Sequence, residues 1–194
     1  IDPDNGYIKA LVGGKDYDAS QVNMATGTGG SGRQAGSSFK TFTLVAAIEQ
    51  GIDPNTMIDA SATAKLPGWE VANINHTNYG TKSIAGAFAV SSNTAFARLI
   101  LSIGPDKVVD VAKRMGITSP LTATGSLTLG SESVTPLEMA NAYATIANGG
   151  THYDPECVER IVDRNGSIVV DNSAPKGERA ISAEVAHAAT EVMK

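Results

Sequence analysis

The residue types that could do chemistry in this chain sit in two short clusters. The first is Gly36-Ser37-Ser38-Phe39-Lys40. A serine three residues ahead of a lysine places both side chains on one face of a helix, in its first turn. Free N–H groups and partial positive charge at the helix N-terminus favour an oxyanion beside the serine. Lys40, held over an apolar helix, loses charge by desolvation and can take the proton of Ser37, which makes the serine a nucleophile. The plain alternative is an N-cap serine followed by a surface lysine. The second cluster is Ser91-Ser92-Asn93, about fifty residues on, at a break between two helices. Such a break offers a hydroxyl and an amide from one loop; its plain alternative is capping of the helix that opens at Thr94. Each cluster is weak alone, and the pair in this order is a much stronger signal.

Other candidates fade on inspection. Gly27-Thr28-Gly29-Gly30-Ser31-Gly32 matches GxGxxG in form. The motif needs an apolar strand before it and a helix starting inside it. Residues 21–26 make a poor strand, so the cluster reads as a flexible loop and not as a nucleotide site. The 3 histidines, His76, His152 and His187, lie far apart with no metal-ligand spacing, and the single cysteine, Cys157, allows neither an internal disulfide nor a cysteine-built zinc site. No metal or organic cofactor is expected. His76 reads as a loop residue, and Cys157 as a small buried or edge residue with no histidine set to make it a nucleophile.

The elements that must position the two clusters follow from the pattern around them. The 194 residues suit one domain, or most of one; 42% are hydrophobic, 18% are charged and the net charge is −5. That balance excludes a disordered chain and a chain-wide nucleic-acid or anionic-membrane surface. The longest uncharged apolar run, residues 84–90, is far short of a bilayer span, and no signal peptide is expected within these residues. Asn5-Gly6 predicts a type I′ hairpin turn leading into a strand over 7–12. A Gly-rich loop follows to about residue 36, then a buried helix over 37–50 stopped by Gly51. Residues 53–79 read as irregular and carry Trp69, the single tryptophan. Helices are expected from about 82 to the Ser91 break, over 94–102, and from Pro105 to Gly116. Thr135-Pro136-Leu137-Glu138 is a capping box that opens a further helix. Residues 158–163 and 167–170 flank Asn165-Gly166 as a second hairpin, and Ser182 caps a last helix that runs to Lys194.

Taken together, these segments resemble the transpeptidase domain of class A (bifunctional) penicillin-binding proteins over nearly the whole chain. The likeness rests on residues 2–14, on Arg33-Gln34-Ala35-Gly36-Ser37-Ser38-Phe39-Lys40, on Ala89-Val90-Ser91-Ser92-Asn93-Thr94-Ala95-Phe96, on Thr128-Leu129-Gly130, and on Val134-Thr135-Pro136-Leu137-Glu138-Met139-Ala140 running to Asn148-Gly149-Gly150. A serine–lysine pair with a Ser-x-Asn element and a Lys-Thr-Gly element marks such enzymes. Here Ala35 and Thr41 stand where the family usually has proline.

The resemblance implies a mixed α/β (α+β) fold, an antiparallel sheet with packed helices and a helical lobe. It implies peptidoglycan D,D-transpeptidation through an acyl-serine on Ser37, with covalent inhibition by β-lactams. Lys40 would accept the serine proton, Ser91 would relay a proton to the leaving group, and Asn93 would bind the substrate amide and Lys40. The Ser37 N–H would supply half of the oxyanion hole. Trp69 and Asn73 would lie near the substrate groove, with simple packing as the alternative for Trp69. Glu138 is explained by capping and not as a deacylating base. A D,D-carboxypeptidase, a β-lactamase, or a non-catalytic penicillin-binding sensor are the rival readings. One element is absent: no Lys-Thr-Gly or Lys-Ser-Gly occurs in the chain. The expectation is therefore a partial domain over 1–194, lacking its first strand, the Lys-Thr-Gly strand and a C-terminal helix. A complementary fragment would carry the missing motif. The parent protein would sit on the extracytoplasmic face of the bacterial membrane, anchored by an upstream segment.

Overall fold

The computed structural model describes residues 1–30 and 32–194. It begins with a turn over Asp2–Gly6 in which the Asp2 N–H reaches the Tyr7 carbonyl (2.9 Å). Gly6 takes φ +75°, but Asn5 stays at negative φ, so the turn is not the expected type I′. Nor do residues 7–12 form a strand. Only Tyr7 bridges, in parallel, to Glu156, and Leu11 and Val12 are exposed. An alternating segment becomes a strand only beside a ladder partner, and among the described residues none runs along 9–12.

The loop then leads to β1 (Arg33–Gln34), a 3₁₀ turn at Gly36–Phe39, and α1 (Lys40–Glu49). Residues 40–47 of α1 are all buried. A helix apolar all round belongs at the centre of a fold, and α1 is packed by three later helices: α3 (Asn93–Ile103), α4 (Pro105–Arg114) and α6 (Ala183–Met193). Phe39 and Phe42, both fully buried, pack with ring centroids 4.6 Å apart; each such side chain contributes roughly 1.5–3 kcal/mol of burial.

The stretch read as irregular contains three short strands, β2 (Met57–Asp59), β3 (Thr63–Leu66) and β4 (Trp69–Ala72), and β5 (Thr81–Ser83) follows it. They pair antiparallel, β2 with β5 and β3 with β4. The β3–β4 hairpin turns at Pro67-Gly68, Gly68 having φ +79°. Only Ala64 and Val71 point fully inward, and two inward positions are too few to show a period of two. β5 also takes the first residues of the helix expected from 82; α2 (Ile84–Ala89) starts after the Ser83 cap.

Beyond α4 come a 3₁₀ turn at Gly125–Leu129, β6 (Ser133–Val134), α5 (Pro136–Ala147), β7 (Thr151–His152), β8 (Arg160–Val162), β9 (Ile168–Asp171), β10 (Glu178–Arg179) and α6. β1 pairs with β6, β7 with β10, and β8 with β9, all antiparallel. The capping box, the second hairpin and the Ser182 cap stand as read. The fold is mixed α/β, with five two-stranded antiparallel units among the described residues around a helical core.

Candidate active site

Lys40 is the centre of the site. It opens α1, directly after the 3₁₀ turn that carries Ser37, and it is 1% exposed while Ser37 is open to solvent. Its Nζ lies 2.9 Å from Ser37 Oγ, 2.8 Å from the Ser91 carbonyl, 3.0 Å from Ser91 Oγ and 2.8 Å from Asn93 Oδ1. The two sequence clusters therefore meet on one nitrogen. Burial lowers the Lys40 pKa from 10.5 to about 8, because a desolvated ammonium is costly. The charged amine can donate to all four oxygens. Loss of one proton still leaves two N–H groups for the Ser91 carbonyl and Asn93 Oδ1 and frees a lone pair for a hydroxyl proton.

Ser91 sits at φ +53°, a left-handed conformation that few non-glycine residues adopt. The Ser91 N–H donates to the Phe88 carbonyl and the Ser92 N–H to the Ala87 carbonyl, which close the end of α2 around it. Ser92 caps α3 by accepting from the Ala95 N–H, so the capping alternative and the chemical one fall to neighbouring residues. Asn93 Nδ2 donates to the Ala72 carbonyl at 3.1 Å, which turns Oδ1 toward Lys40.

The turn that carries Ser37 is braced by later segments. Gly130, at φ +68°, leaves no room for a side chain, since a Cβ there would overlap the backbone N and O of Gly36. Gln34 Nε2 donates to the Ser131 carbonyl, and Thr43 Oγ1 donates to Thr128 Oγ1. Thr41, at a usual proline position, is 2.7 Å from the Tyr143 hydroxyl, which donates to the Ser38 carbonyl. Of these supports Gln34, Thr41 and the Thr128–Gly130 segment were singled out in the sequence. Tyr143 carried no local signal, because its partners are about a hundred residues away.

The remaining candidates make no hydrogen bond to Lys40 itself. Asn73 is 4% exposed and both ends of its amide are bonded within the chain. That geometry fits a positioning role. Trp69, half-buried, packs with Leu66 and Leu129 over Ala64, Val71 and Ala97. It also borders a shallow cavity of about 240 Å³ with Leu101, Thr124 and Ser126. His76 is an exposed loop residue at φ +51°. Cys157 is exposed, not buried. In the described part of the Gly cluster no helix starts: the Gly27 N–H donates to the Asn23 carbonyl and the Gly30 N–H to the Gly27 carbonyl, while Ser31 lies outside the described residues. Among the described residues no His, Cys, Asp or Glu group could hold a metal, and no helix is long and apolar enough to cross a membrane.

Glu138 is saturated. Besides the Thr135 N–H it accepts from the N–H and hydroxyl of both Thr118 and Ser119. Burial works to raise its pKa, but these hydrogen bonds outweigh it and hold it at about 2.

Comparison with known proteins adds an independent line. The family described as "Penicillin binding protein transpeptidase domain" matches residues 1–194. Penicillin-binding protein 1A of Rickettsia felis is 37% identical over 174 residues, covering 87% of this chain and 22% of that protein. Penicillin-binding protein 1A of Mycobacterium tuberculosis is 34% identical over 212 residues, covering 100% of this chain and 25% of that protein. The structure of PonA1 from Mycobacterium tuberculosis in complex with penicillin V superposes with a TM-score of 0.89 at 34% identity, over 100% of this chain and 54% of that one. Penicillin-binding protein 1A from Haemophilus influenzae gives 0.86 at 29% identity, over 99% and 33%. The chain thus spans about a quarter of the curated relatives' length.

Proposed function

Because this chain belongs to the penicillin-binding protein transpeptidase family, we propose that it cross-links peptidoglycan stem peptides by D,D-transpeptidation on Ser37. The observation that carries the reading is the Lys40 amine, buried and 2.9 Å from Ser37 Oγ. As the oxygen attacks the carbonyl carbon of the penultimate D-Ala, its proton passes to Lys40 Nζ. The Ser37 N–H is one donor to the tetrahedral oxyanion. Ser91 Oγ, 3.0 Å from the same nitrogen, passes a proton to the nitrogen of the terminal D-Ala as the C–N bond breaks. The amine of a neighbouring stem then attacks the acyl-serine, loses a proton to the same relay, and regenerates Ser37. Asn93 holds Lys40 and a substrate amide. A segment bearing Lys-Thr-Gly, which these residues lack, would add the second oxyanion donor. The setting would be the extracytoplasmic face of the bacterial membrane, tethered by a part of the protein that precedes these residues.

A β-lactam would acylate Ser37 in the same way, the ring nitrogen taking the proton while it stays tethered. The saturated Glu138 has no free oxygen with which to activate water. This favours a persistent acyl-enzyme over β-lactam hydrolysis. The test uses the full-length protein with a fluorescent penicillin. Labelling is expected to be covalent, stable and absent in Ser37→Ala; labelling retained in that variant, or rapid turnover of a chromogenic cephalosporin, would refute the reading. Transfer of a stem-peptide mimic to water in place of an amine would make it a carboxypeptidase, and absence of labelling would favour a sensor.

A further inference from the structure

We propose that Asn73 is a positioning residue, whose buried carboxamide locks Ser91 and Asn93 in the geometry that grips Lys40. The proposal rests on the reading of Ser37 and Lys40 as nucleophile and base. Asn73 follows β4 and lies 19 residues before Ser92, on a different element from either catalytic cluster. Its Nδ2 faces only carbonyls, those of Ala60 (3.1 Å), Ser61 (3.1 Å) and Thr77 (3.0 Å). Its Oδ1 faces only donors, Ser92 Oγ (3.0 Å), the Thr94 N–H (3.1 Å) and Thr94 Oγ1 (3.3 Å). The amide has one workable orientation, and each end ties a different segment.

The consequence for the site follows from what lies on either side of Ser92. Ser91 gives Lys40 its carbonyl and hydroxyl, and Asn93 gives it Oδ1. Between them Ser92 is fully buried, and its Oγ–H is committed to Asn73. Ser91 at φ +53° persists only because its surroundings over-determine it. Besides the two backbone bonds that end α2 and the contacts to Lys40, the Asn73–Ser92 bond ties that turn to the segment after β4. Residue 72 completes the clamp, its carbonyl holding Asn93 Nδ2. Thr94 Oγ1 adds a parallel link to the Ser61 carbonyl at 2.8 Å. Burial alone displaces the Lys40 titration, with no charged neighbour contributing, so the seal around the amine is what a loosened turn would break.

The test compares Asn73→Ala and the near-isosteric Thr94→Val with wild type in the full-length protein. Two readouts are taken: the acylation rate with a fluorescent penicillin across pH, and the titration of the Lys40 amine by competitive acetylation read by mass spectrometry. Asn73→Ala is expected to slow acylation about 10- to 100-fold, the cost of a misplaced catalytic group, and to move the Lys40 titration upward from about 8. Thr94→Val moves both readouts in the same direction by less. Folded variants that melt lower yet keep the wild-type rate and Lys40 titration would overturn the proposal. The amine titration needs no turnover, so it decides on Asn73 even if labelling persists in Ser37→Ala and the proposed function falls.

Discussion

At the scale of single residues, the site depends on a lysine that spends part of its time uncharged near neutral pH. An ordinary lysine at 10.5 would hold its proton, and Lys40 is brought down to about 8 by burial. Only the neutral amine can accept from Ser37, so the rate of acylation by a β-lactam should climb with pH through about 8 and level off above it. Lys40→Arg keeps the charge and comparable length but cannot deprotonate. Acylation of that variant should fall by about 10²-fold or more, the usual worth of a general base, and should lose the limb near pH 8. A rate profile of wild-type shape in Lys40→Arg would place the base elsewhere.

At the scale of elements, two contacts hold the nucleophile turn and the helix behind it. Gly130 ends its 3₁₀ turn in the left-handed region, against the backbone of Gly36. Gly130→Ala forces a Cβ into that backbone and strains φ as well, so it should cost about 1–3 kcal/mol in denaturant unfolding and slow acylation by displacing Ser37. The second contact is Glu138, which caps α5 and also gathers the 118–119 loop. Glu138→Gln should lose about 1–2 kcal/mol at pH 7, the usual range for a cap and charged hydrogen bonds. The carboxyl is depressed from 4.5 to about 2, so its contribution is full above 4.5 and is lost as pH falls through 2. The gap between wild type and Glu138→Gln in pH-dependent melting should therefore narrow over that window. The acyl-enzyme lifetime should be unchanged by this substitution, since Glu138 activates no water.

At the scale of the whole molecule, α1 is enclosed by α3, α4 and α6 and puts one end of itself into the active site. Arg114 at the end of α4 ties that enclosure together. It pairs with Glu49 of α1 at 2.6 Å and Asp110 at 3.0 Å, and donates to the Ala180 carbonyl just ahead of α6. On the other side, β8 and β9 carry exposed Ile161, Val162, Ile168 and Val169. The proposed chemistry also needs a second oxyanion donor that none of these residues is expected to supply. The 194 residues alone should be acylated about 10²- to 10³-fold more slowly than the same residues joined to a Lys-Thr-Gly segment, the typical worth of one such donor. Side-by-side labelling of the two proteins reads this directly, and equal rates would mean that the chain makes its own oxyanion hole.

What the sequence determined by itself is local. A serine and a lysine three apart on one helix turn, a capping box, a Gly-terminated helix and an Asn-Gly hairpin are all set by neighbours within a few residues. All were legible, and the paired clusters pointed to the chemistry before any geometry was known. What only the tertiary structure decided is long-range. The meeting of Ser91 and Asn93 on Lys40 spans 51 and 53 residues, the brace from Tyr143 to Ser38 spans 105, and the ties from Asn73 cross 19 and 21. The strand expected over 7–12 does not form, and the strands within 57–83 escape the sequence pattern, for the same reason: a strand is defined by the partner beside it, and short pairs carry too few alternating positions to announce themselves. The lowered Lys40 pKa belongs to this second kind. Its residue type sets the starting value, but only the packing of three helices and a strained turn removes the water that would have kept it charged.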